Sequence, residues 1–405
     1  MLRFSFRMLV EGCPEIEGLK LRTEKQRKAL SHVLANIWKY QTKPVYLRLG
    51  NRRNIPSRYN PAKVGNKPIK AVLDALRDLG LIDLKVGTSR FTYTDDFEPV
   101  KVVLSSFAAT SEFAGFLRKS IPSNRFFELP TLYIQYKSTK DNGDNLLNFE
   151  WCEFSETVNQ QMAEYCHFMR QQHLTLDGEP LDEFYVVRTF RDWADDGSFL
   201  YGGRGWHSVM GMKKCQRAKI LINGKATVAL DYAASGPNIL YLMMTGERLY
   251  PHGDPYDVEG LERDVVKQYL TIMVNTPNIF FAEGAVSKWL AKGKERIEAK
   301  PAAIAAEKKL GSKRAVIHAI LKSNKSIAPC LMHSKAMGQH YQWLEANLAF
   351  HVAHQLSLKG IPALTVHDEF IVREEDKEIA EGLMYSTWPP DLPSLPPEAP
   401  WNKCH

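Results

Sequence analysis

The stretch VALDYAASGPNILYL, residues 228–242, decides how the rest of the chain is interpreted. Val228 to Leu230 favour a strand, and Asp231 ends that run before a patch of small residues. An aspartate in this place often serves a turn or caps a helix. It can also carry chemistry, because loops at the ends of strands hold many functional residues. Gly236, five residues further on, raises the question of what its missing side chain leaves room for.

Composition predicts an ordinary folded protein. The 405 residues are 44% hydrophobic and 24% charged, enough for about two or three domains with a buried core. A net charge of +7 is a modest bias toward polyanions such as nucleic acids. The six cysteines form no C-x-x-C pair, so neither a zinc site nor a disulfide framework is predicted. The N-terminal apolar stretch is too short and too charged for a signal peptide or membrane span, and we expect a cytoplasmic protein.

Residues 1–105 predict a helical region that resembles a winged helix. Helical periodicity runs through residues 24–41 and 66–82, and DLKVG with TSRFTYT, at 83–94, favours a two-stranded wing. The basic segment NRRNIPSRYNPAK precedes them and could contact phosphates. A small helical domain with a solvated basic face explains the same pattern equally well.

Two β-hairpins are predicted in the second half of the chain, separated by helices. KILINGKATVALDY, at 219–232, has two β-rich arms around Asn223-Gly224, the strongest short-range hairpin signal. ALTV, HDE and FIV, at 363–372, predict a strand, a tight turn and a strand. Helical periodicity fills most of residues 258–358. The predicted fold class is therefore α/β in the mixed α+β sense.

The predicted turns place carboxylates where they can meet. Asp231 and Asp368 end up at strand termini, and carboxylates that converge at one sheet edge can hold two divalent metals about 4 Å apart. Mg²⁺ suits such a site because it binds few protein carboxylates and takes phosphate oxygens of the substrate as further ligands. Arg263 and Lys267 lie four residues apart on one helical face and could neutralise a triphosphate. Each feature alone is most often structural, a turn residue or a solvated basic stripe.

The combination carries a resemblance. Asp231, then Arg263-x-x-x-Lys267, then V-H-D-E at 366–369 resembles motifs A, B and C of the polymerase superfamily that unites Pol I-like DNA polymerases and single-subunit phage RNA polymerases. The resemblance covers about residues 199–373. It implies a right-hand polymerase with an antiparallel-sheet palm and largely helical fingers and thumb.

The resemblance also implies roles for the motif residues. Asp231 and Asp368, with Tyr232 beside them, are the expected ligands of two Mg²⁺ ions. Arg263 and Lys267 are the expected catalytic cations that hold the phosphates of the incoming nucleotide.

Sugar selection is expected at a second group of residues. D-Y-A-A-S-G is similar to the D-G-S-C-S-G form of phage RNA polymerases, where the place of Gly236 is also glycine, whereas DNA polymerases carry a bulky glutamate there. Asn275 stands where the family has a sugar-sensing tyrosine, and an amide can still hydrogen-bond a hydroxyl. Tyr232 and His333, the latter in LMHS, are further expected nucleotide contacts. Glu369, a possible accessory carboxylate, is the DNA-polymerase form of motif C and argues against an RNA product.

Contacts to template or transcript are expected upstream of motif A. Gly203-Arg204 with Trp206 resembles the D-x-x-G-R element of phage RNA polymerases, although Leu200 replaces its aspartate. Arg204, Trp206 and His367 are the expected nucleic-acid contacts.

The resemblance divides the chain into five parts: 1–105, the N-terminal helical region; 106–198, a helical thumb and palm-entry region; 199–257 with 346–387, the palm; 258–345, the fingers; and 388–405, a Pro-rich tail. So reduced a chain is most similar to the larger, catalytic subunit of the heterodimeric RNA polymerases of N4-like phages. This implies a second polymerase subunit and a promoter-opening or single-stranded-DNA-binding factor as partners, and no membrane.

The sequence thus predicts a DNA-directed RNA polymerase subunit that joins NTPs to an RNA 3′-hydroxyl on a DNA template. One alternative is a minimal DNA polymerase or a primase of the same superfamily. An alternative of another class is a non-enzymatic DNA-binding replication or regulatory protein.

Overall fold

The computed structural model describes residues 7–8, 19, 21–47, 56–60, 63–87, 105–121, 126–127, 132–139, 145–181, 184–247, 253–333 and 335–387. The predicted α+β class is confirmed: helices dominate, with small sheets between them. The chain forms two compact units, residues 1–132 with 146–148 and residues 133–145 with 149–405. The Pro-rich segment 388–405 lies outside the described residues.

The α-helices of the described residues are α1 (Glu24–Tyr40), α2 (Asn66–Asp78), α3 (Ser111–Ser120), α4 (Glu153–Arg170), α5 (Lys214–Arg217), α6 (Ser235–Thr245), α7 (Arg263–Val274), α8 (Ile279–Lys292), α9 (Lys300–Leu310), α10 (Lys313–Ser323), α11 (Lys335–Leu358) and α12 (Lys377–Thr387). Within the part of the chain that the structure describes, none of them is long and apolar enough to cross a membrane.

The strands are β1 (Arg7–Met8), β2 (Val45–Leu47), β3 (Ile82–Lys85), β4 (Ser105–Ala109), β5 (Phe126–Phe127), β6 (Ile134–Ser138), β7 (Leu174–Leu176), β8 (Glu179–Pro180), β9 (Val187–Asp192), β10 (Gly202–Trp206), β11 (Ile220–Ile222), β12 (Thr227–Asp231), β13 (Ala363–Val366) and β14 (Glu369–Arg373). They pair as β1-β5, β2-β4-β3, β10-β9-β6, β11-β7-β8 and β12-β14-β13.

The smaller unit packs helices against a three-stranded sheet. Helix α2 buries Ile69, Val72, Leu73 and Leu76 at the spacing that its sequence predicts. In the sheet, β4 is the central strand and pairs antiparallel with both β2 and β3. The first predicted wing strand forms as β3, which pairs with β4; the second predicted wing strand falls in residues 88–94, which lie outside the described residues.

The prediction that residues 106–198 are mainly helical is wrong for much of the segment. Strands β6 and β9 pair in parallel there, and β9 also pairs antiparallel with β10. The burial of β6 alternates residue by residue, which is the period of a half-buried strand and not of a helix. Its three buried residues are Ile134, Tyr136 and Ser138.

The predicted hairpin at 219–232 forms only its turn. Asn223 and Gly224 both have positive φ, and Ile222 and Lys225 exchange backbone hydrogen bonds of 3.1 and 3.0 Å across them. Beyond that bridge the arms separate, because β11 pairs with β7 and β12 pairs with β14. Strand β14 is buried along its middle and takes β12 on one side and β13 on the other. Burial across the whole unit therefore overrides the local hairpin.

Candidate active site

The three-stranded sheet brings Asp231 and Asp368 together. Strand β12 runs antiparallel to β14 in a register that pairs Asp231 with Glu369. Asp368 is the neighbouring residue, in the turn between β13 and β14, where His367 adopts a left-handed φ of 61°. The two aspartates are close enough for the charge of Asp368 to raise the pKa of Asp231. The register thus brings Asp231 and Asp368 to one sheet edge, as expected for carboxylates at these strand ends.

Both carboxyl groups resist ionisation. Burial and then the negative charge of Asp368 raise the pKa of Asp231 to about 6, against the opposing effect of Lys267. Burial and then the charge of Glu345 raise the pKa of Asp368 to about 6, although the Ser235 hydroxyl favours its charged form. Two carboxylates held this close in a partly desolvated site leave a net demand for positive charge.

That demand fits divalent cations. Within the described residues no three or more His, Cys, Asp or Glu side chains form a cluster that could cage a metal. A pair of carboxylates is instead the donor set that suits Mg²⁺, which keeps positions for water and phosphate oxygens. Asp231 and Asp368 would hold the ions, which would supply Lewis acidity and charge neutralisation.

Tyr232 contributes differently from the prediction. Its side chain is buried, its hydroxyl donates a 2.9 Å hydrogen bond to the Met384 carbonyl, and its ring packs edge-on against Phe370. The predicted contact of this side chain with a nucleotide is therefore wrong, because the ring faces the core. Only the backbone carbonyl of Tyr232 is available as the predicted metal ligand.

Arg263 and Lys267 lie on the exposed face of α7 and share one aromatic neighbour. The Arg263 guanidinium is 4.8 Å and the Lys267 ammonium 5.7 Å from the centre of the Tyr256 ring. Arg263 also donates a 2.7 Å hydrogen bond to Asp254, whereas Lys267 makes no salt bridge to any described residue. The effect of Lys267 on Asp231 places its charge near the carboxylate pair. The ammonium of Lys267 and the carboxylate of Asp231 are therefore electrostatically coupled.

If Lys267 binds a triphosphate, as its place in the sequence predicts, Lys267→Gln should lower kcat/KM for nucleotides by about 10- to 100-fold, because a neutral amide cannot neutralise a triphosphate. The acid limb of the pH–rate profile should also move to higher pH, since Lys267 holds down the pKa of Asp231. Steady-state kinetics against pH measure both effects. Lys288→Gln, on the exposed surface of α8, is the control. Unchanged kcat, KM and pH profile in Lys267→Gln would remove this residue from the site.

Gly236 lies in the first turn of α6, which begins after Ala234 in a left-handed conformation. A Cβ at Gly236 would lie 3.3 Å from Tyr341 Oη and 3.8 Å from Tyr256 Oη. The phenolic hydroxyls of two tyrosines therefore pack closely around Gly236, and a side chain there would have to displace Tyr341. Neither tyrosine was predicted from the sequence.

Asn275 and His333 lie close to the C-terminal end of α7. Asn275 donates a 2.8 Å hydrogen bond to the Thr271 carbonyl, and a Cβ at Gly338 would overlap its amide. The loop of His333 is held nearby, because the Met332 amide donates to the Met273 carbonyl at 2.9 Å. His333 itself is exposed. The structure brings these two predicted residues to one region, with the Asn275 amide bonded to its own helix.

Arg204 is held by a buried carboxylate. Its Nε and Nη2 donate to Glu345 Oε2 at 2.8 and 2.6 Å, and Tyr341 donates to Glu345 Oε1 at 2.8 Å. Arg204 keeps 27% of its side chain exposed, which leaves it a partial surface for nucleic acid. Trp206, at the end of β10, is 53% exposed. His367 is half-buried, and burial followed by the charges of Arg204 and Arg217 lowers its pKa to about 4.

Glu369 is engaged in an ion pair. Arg217 donates to its Oε1 from Nε at 3.1 Å and from Nη2 at 2.8 Å. Arg217 also donates to the Met212 carbonyl, which holds its guanidinium in place beside Glu369. The carboxylate of Glu369 is therefore neutralised within the protein, and it is a weaker accessory metal ligand than its place in the sequence suggests.

The sequence analysis missed Glu345, Tyr341, Tyr256 and Arg217. Tyr341 and Glu345 lie four residues apart on α11, and this spacing is a signal that they share a helical face. Arg217 lies in the short helix α5 and Tyr256 lies in a turn. Neither segment has a periodicity in its sequence that could mark these residues.

Buried histidines should make the protein sensitive to acid. Burial lowers the pKa of His340 to about 4, below the ordinary value near 6.5, so the unfolded chain binds a proton that the native state rejects. The stability that the neutral residue contributes is complete above about pH 6.5 and falls as the pH drops toward 4. We expect His340→Gln to lose less stability than the wild type between pH 7 and pH 5, by up to about 2 kcal/mol, in thermal or urea denaturation. Parallel pH curves for both proteins would contradict the assignment.

Comparison with known protein families, with curated proteins and with solved structures found no match for this chain. Function is accordingly argued from the chemistry of the site.

Proposed function

We propose that the chain is the catalytic subunit of a DNA-directed RNA polymerase, which joins NTPs to an RNA 3′-hydroxyl by two-metal nucleotidyl transfer. The observation that carries the proposal is the approach of Asp231 and Asp368 at one sheet edge, within the electrostatic influence of Lys267. Each comes from a different element, so no local structural need explains their meeting.

The residues divide the work by charge. Asp231 and Asp368 would hold two Mg²⁺ ions, which would supply Lewis acidity to the attacking hydroxyl and charge neutralisation to the leaving pyrophosphate. Lys267 and Arg263 bind the triphosphate from the opposite side. The stacking of both cations on Tyr256 fixes them without neutralising Lys267.

The sheet β12-β14-β13 serves as the palm in this proposal, and helices α7 to α10 serve as the fingers. An ordinary right-hand architecture places these two parts on either side of the nucleotide. The exposed ring of Trp206 and the exposed part of Arg204 are suited to stacking on bases and to contacting phosphate.

An RNA product is favoured by Gly236, because it stands where the DNA polymerases of the superfamily carry a bulky glutamate. Glu369 is the DNA-polymerase form of motif C and argues for a DNA product. That argument is weakened because Arg217 already neutralises the Glu369 carboxylate. The proposal includes the resemblance to the larger subunit of N4-like phage RNA polymerases. It therefore also includes a second subunit, a promoter-opening factor and a location in the cytoplasm of a host bacterium.

The test is incorporation of NTPs and, separately, of dNTPs on a primed single-stranded DNA template, with and without Mg²⁺. We expect Mg²⁺-dependent extension that prefers NTPs. A preference for dNTPs would support the minimal DNA polymerase. Tight duplex binding with no extension under any metal, also in the presence of a co-purified partner, would support the non-enzymatic DNA-binding protein and end the proposal.

A further inference from the structure

Arg296 lies in the loop between α8 and α9, where its backbone is held in a left-handed conformation. Its φ of 43° and ψ of 51° cost free energy for a residue with a side chain, and such a conformation persists only where the surroundings enforce it. Trp289, a buried residue of α8, holds the loop, because its indole donates a 2.8 Å hydrogen bond to the Glu295 carbonyl. The place of Arg296 is therefore set by the core of the fold.

The guanidinium of Arg296 is held against α7 next to Lys267. Its Nη1 donates a 2.9 Å hydrogen bond to Oε1 of Gln268, the buried residue that follows Lys267. A guanidinium has five N–H donors, and this bond uses one of them. Arg296 makes no salt bridge within the part of the chain that the structure describes, so most of its donors and its whole charge remain available to a ligand.

Arg263 is in a different state, although it lies on the same helix as Lys267. Its Nε donates a 2.7 Å hydrogen bond to the Asp254 carboxylate, which neutralises it. Lys267 and Arg296 are consequently the cations of this region that keep their charge. The site thus has a free guanidinium that lies outside the motifs of the resemblance.

Tyr256 connects these cations electrostatically with the carboxylate pair. Burial and then the charge of Asp368 raise the pKa of its phenol, whereas the charges of Arg263 and Arg296 act in the opposite direction. The Tyr256 hydroxyl is therefore within electrostatic range of the Asp368 carboxylate and of the Arg296 guanidinium. An elongated anion bound beside this ring can meet metal ions at one end and the free cations at the other.

We propose that Arg296 is a phosphate-binding residue, which together with Lys267 holds the triphosphate of the incoming nucleotide, and that Gln268 is a positioning residue that aims its guanidinium. The two cations are complementary, because a guanidinium donates paired hydrogen bonds to phosphate oxygens whereas an ammonium acts as a point charge. The inference rests on the proposed function and names a further residue of the same site.

Inorganic tripolyphosphate is the probe, because it has the phosphate chain of an NTP without the base and the sugar. We expect calorimetric titration in Mg²⁺ to show that Arg296→Gln raises the Kd about 10-fold or more, the effect of losing charged hydrogen bonds. The matched control is Arg314→Gln, which removes an exposed arginine of α10 that is paired with Glu283 at 2.7 Å and should leave the Kd unchanged. Equal Kd values for the wild type and folded Arg296→Gln would overturn the inference.

Gln268→Glu tests the same assignment with Arg296 retained, in case Arg296→Gln does not fold. The new carboxylate has the shape of the amide and would neutralise Arg296, so the Kd for tripolyphosphate should rise as in Arg296→Gln. An unchanged Kd in this variant would likewise contradict the inference.

Lys267→Gln separates the inference from the proposed function. A raised Kd in Lys267→Gln with an unchanged Kd in Arg296→Gln would remove Arg296 from the site and leave the polymerase intact. Absence of tripolyphosphate binding by the wild type would overturn the inference. If the wild type also extended no primer with NTPs or dNTPs, the proposed function would fail with it.

Discussion

Asp368→Asn should reduce nucleotide incorporation on the order of 10³-fold or more and, in the absence of Mg²⁺, raise the melting temperature. The loss of activity follows from the loss of a metal ligand whose charge stabilises the transition state. The gain in stability follows from the sign of the pKa shift. The pKa of Asp368 is raised to about 6 in the folded protein by burial and by Glu345, so above that pH its charge costs folding free energy. Incorporation assays and thermal denaturation at pH 7.5 measure the two effects.

Mg²⁺ supplies a third measurement for the same variant. Because an ion that binds only the native state stabilises it, Mg²⁺ should raise the melting temperature of the wild type and have a smaller effect on Asp368→Asn. Asp231→Asn should behave in the same way, since Asp231 shares the site.

The matched control is Asp376→Asn. Asp376 is also a buried carboxylate of the same unit, but Arg373 donates to its two oxygens at 2.6 and 3.1 Å. Its removal should therefore lower the melting temperature and leave the activity of the folded protein largely unchanged. If Asp368→Asn lost stability as Asp376→Asn does and kept its activity, the carboxylate pair would be structural.

Gly236→Glu should reverse the preference for the sugar. The first atom of the new side chain would already lie 3.3 Å from Tyr341 Oη, so the rest of it must enter the space beside the carboxylate pair. We expect kcat/KM for NTPs to fall about 10- to 100-fold and that for dNTPs to fall less, because only the ribose has a group that needs this space. Competition between NTPs and dNTPs on one primed template measures the ratio.

Two other substitutions at the same position separate bulk from charge. Gly236→Gln has the size of glutamate without its charge, and an equal shift toward dNTPs would assign the effect to bulk. Gly236→Ala adds only the Cβ, which a small movement of Tyr341 accommodates, and it should keep the preference for NTPs. An NTP preference that survives Gly236→Glu would show that the sugar lies elsewhere.

The sequence alone predicted those features that depend on neighbours along the chain. Asn223-Gly224 forms its tight turn, because turn chemistry is local. The spacing of Arg263 and Lys267 placed both cations on one face of α7 for the same reason. The apolar runs ALTV and FIV predicted β13 and β14 correctly, since the turn between them is only two residues long.

Only the tertiary structure decided which distant groups meet. Nothing in the sequence shows that β12 leaves its neighbour β11 and pairs with β14, yet this pairing sets Asp231 beside Asp368. Likewise Glu345 neutralises Arg204 across 141 positions and Arg217 neutralises Glu369 across 152. The physical reason is that strand partners and buried ion pairs are selected by apolar burial and charge compensation over a whole unit. The chain thus determined the chemical groups and their local geometry by itself, whereas Tyr341 lies close to Gly236 only because α6 and α11 pack together.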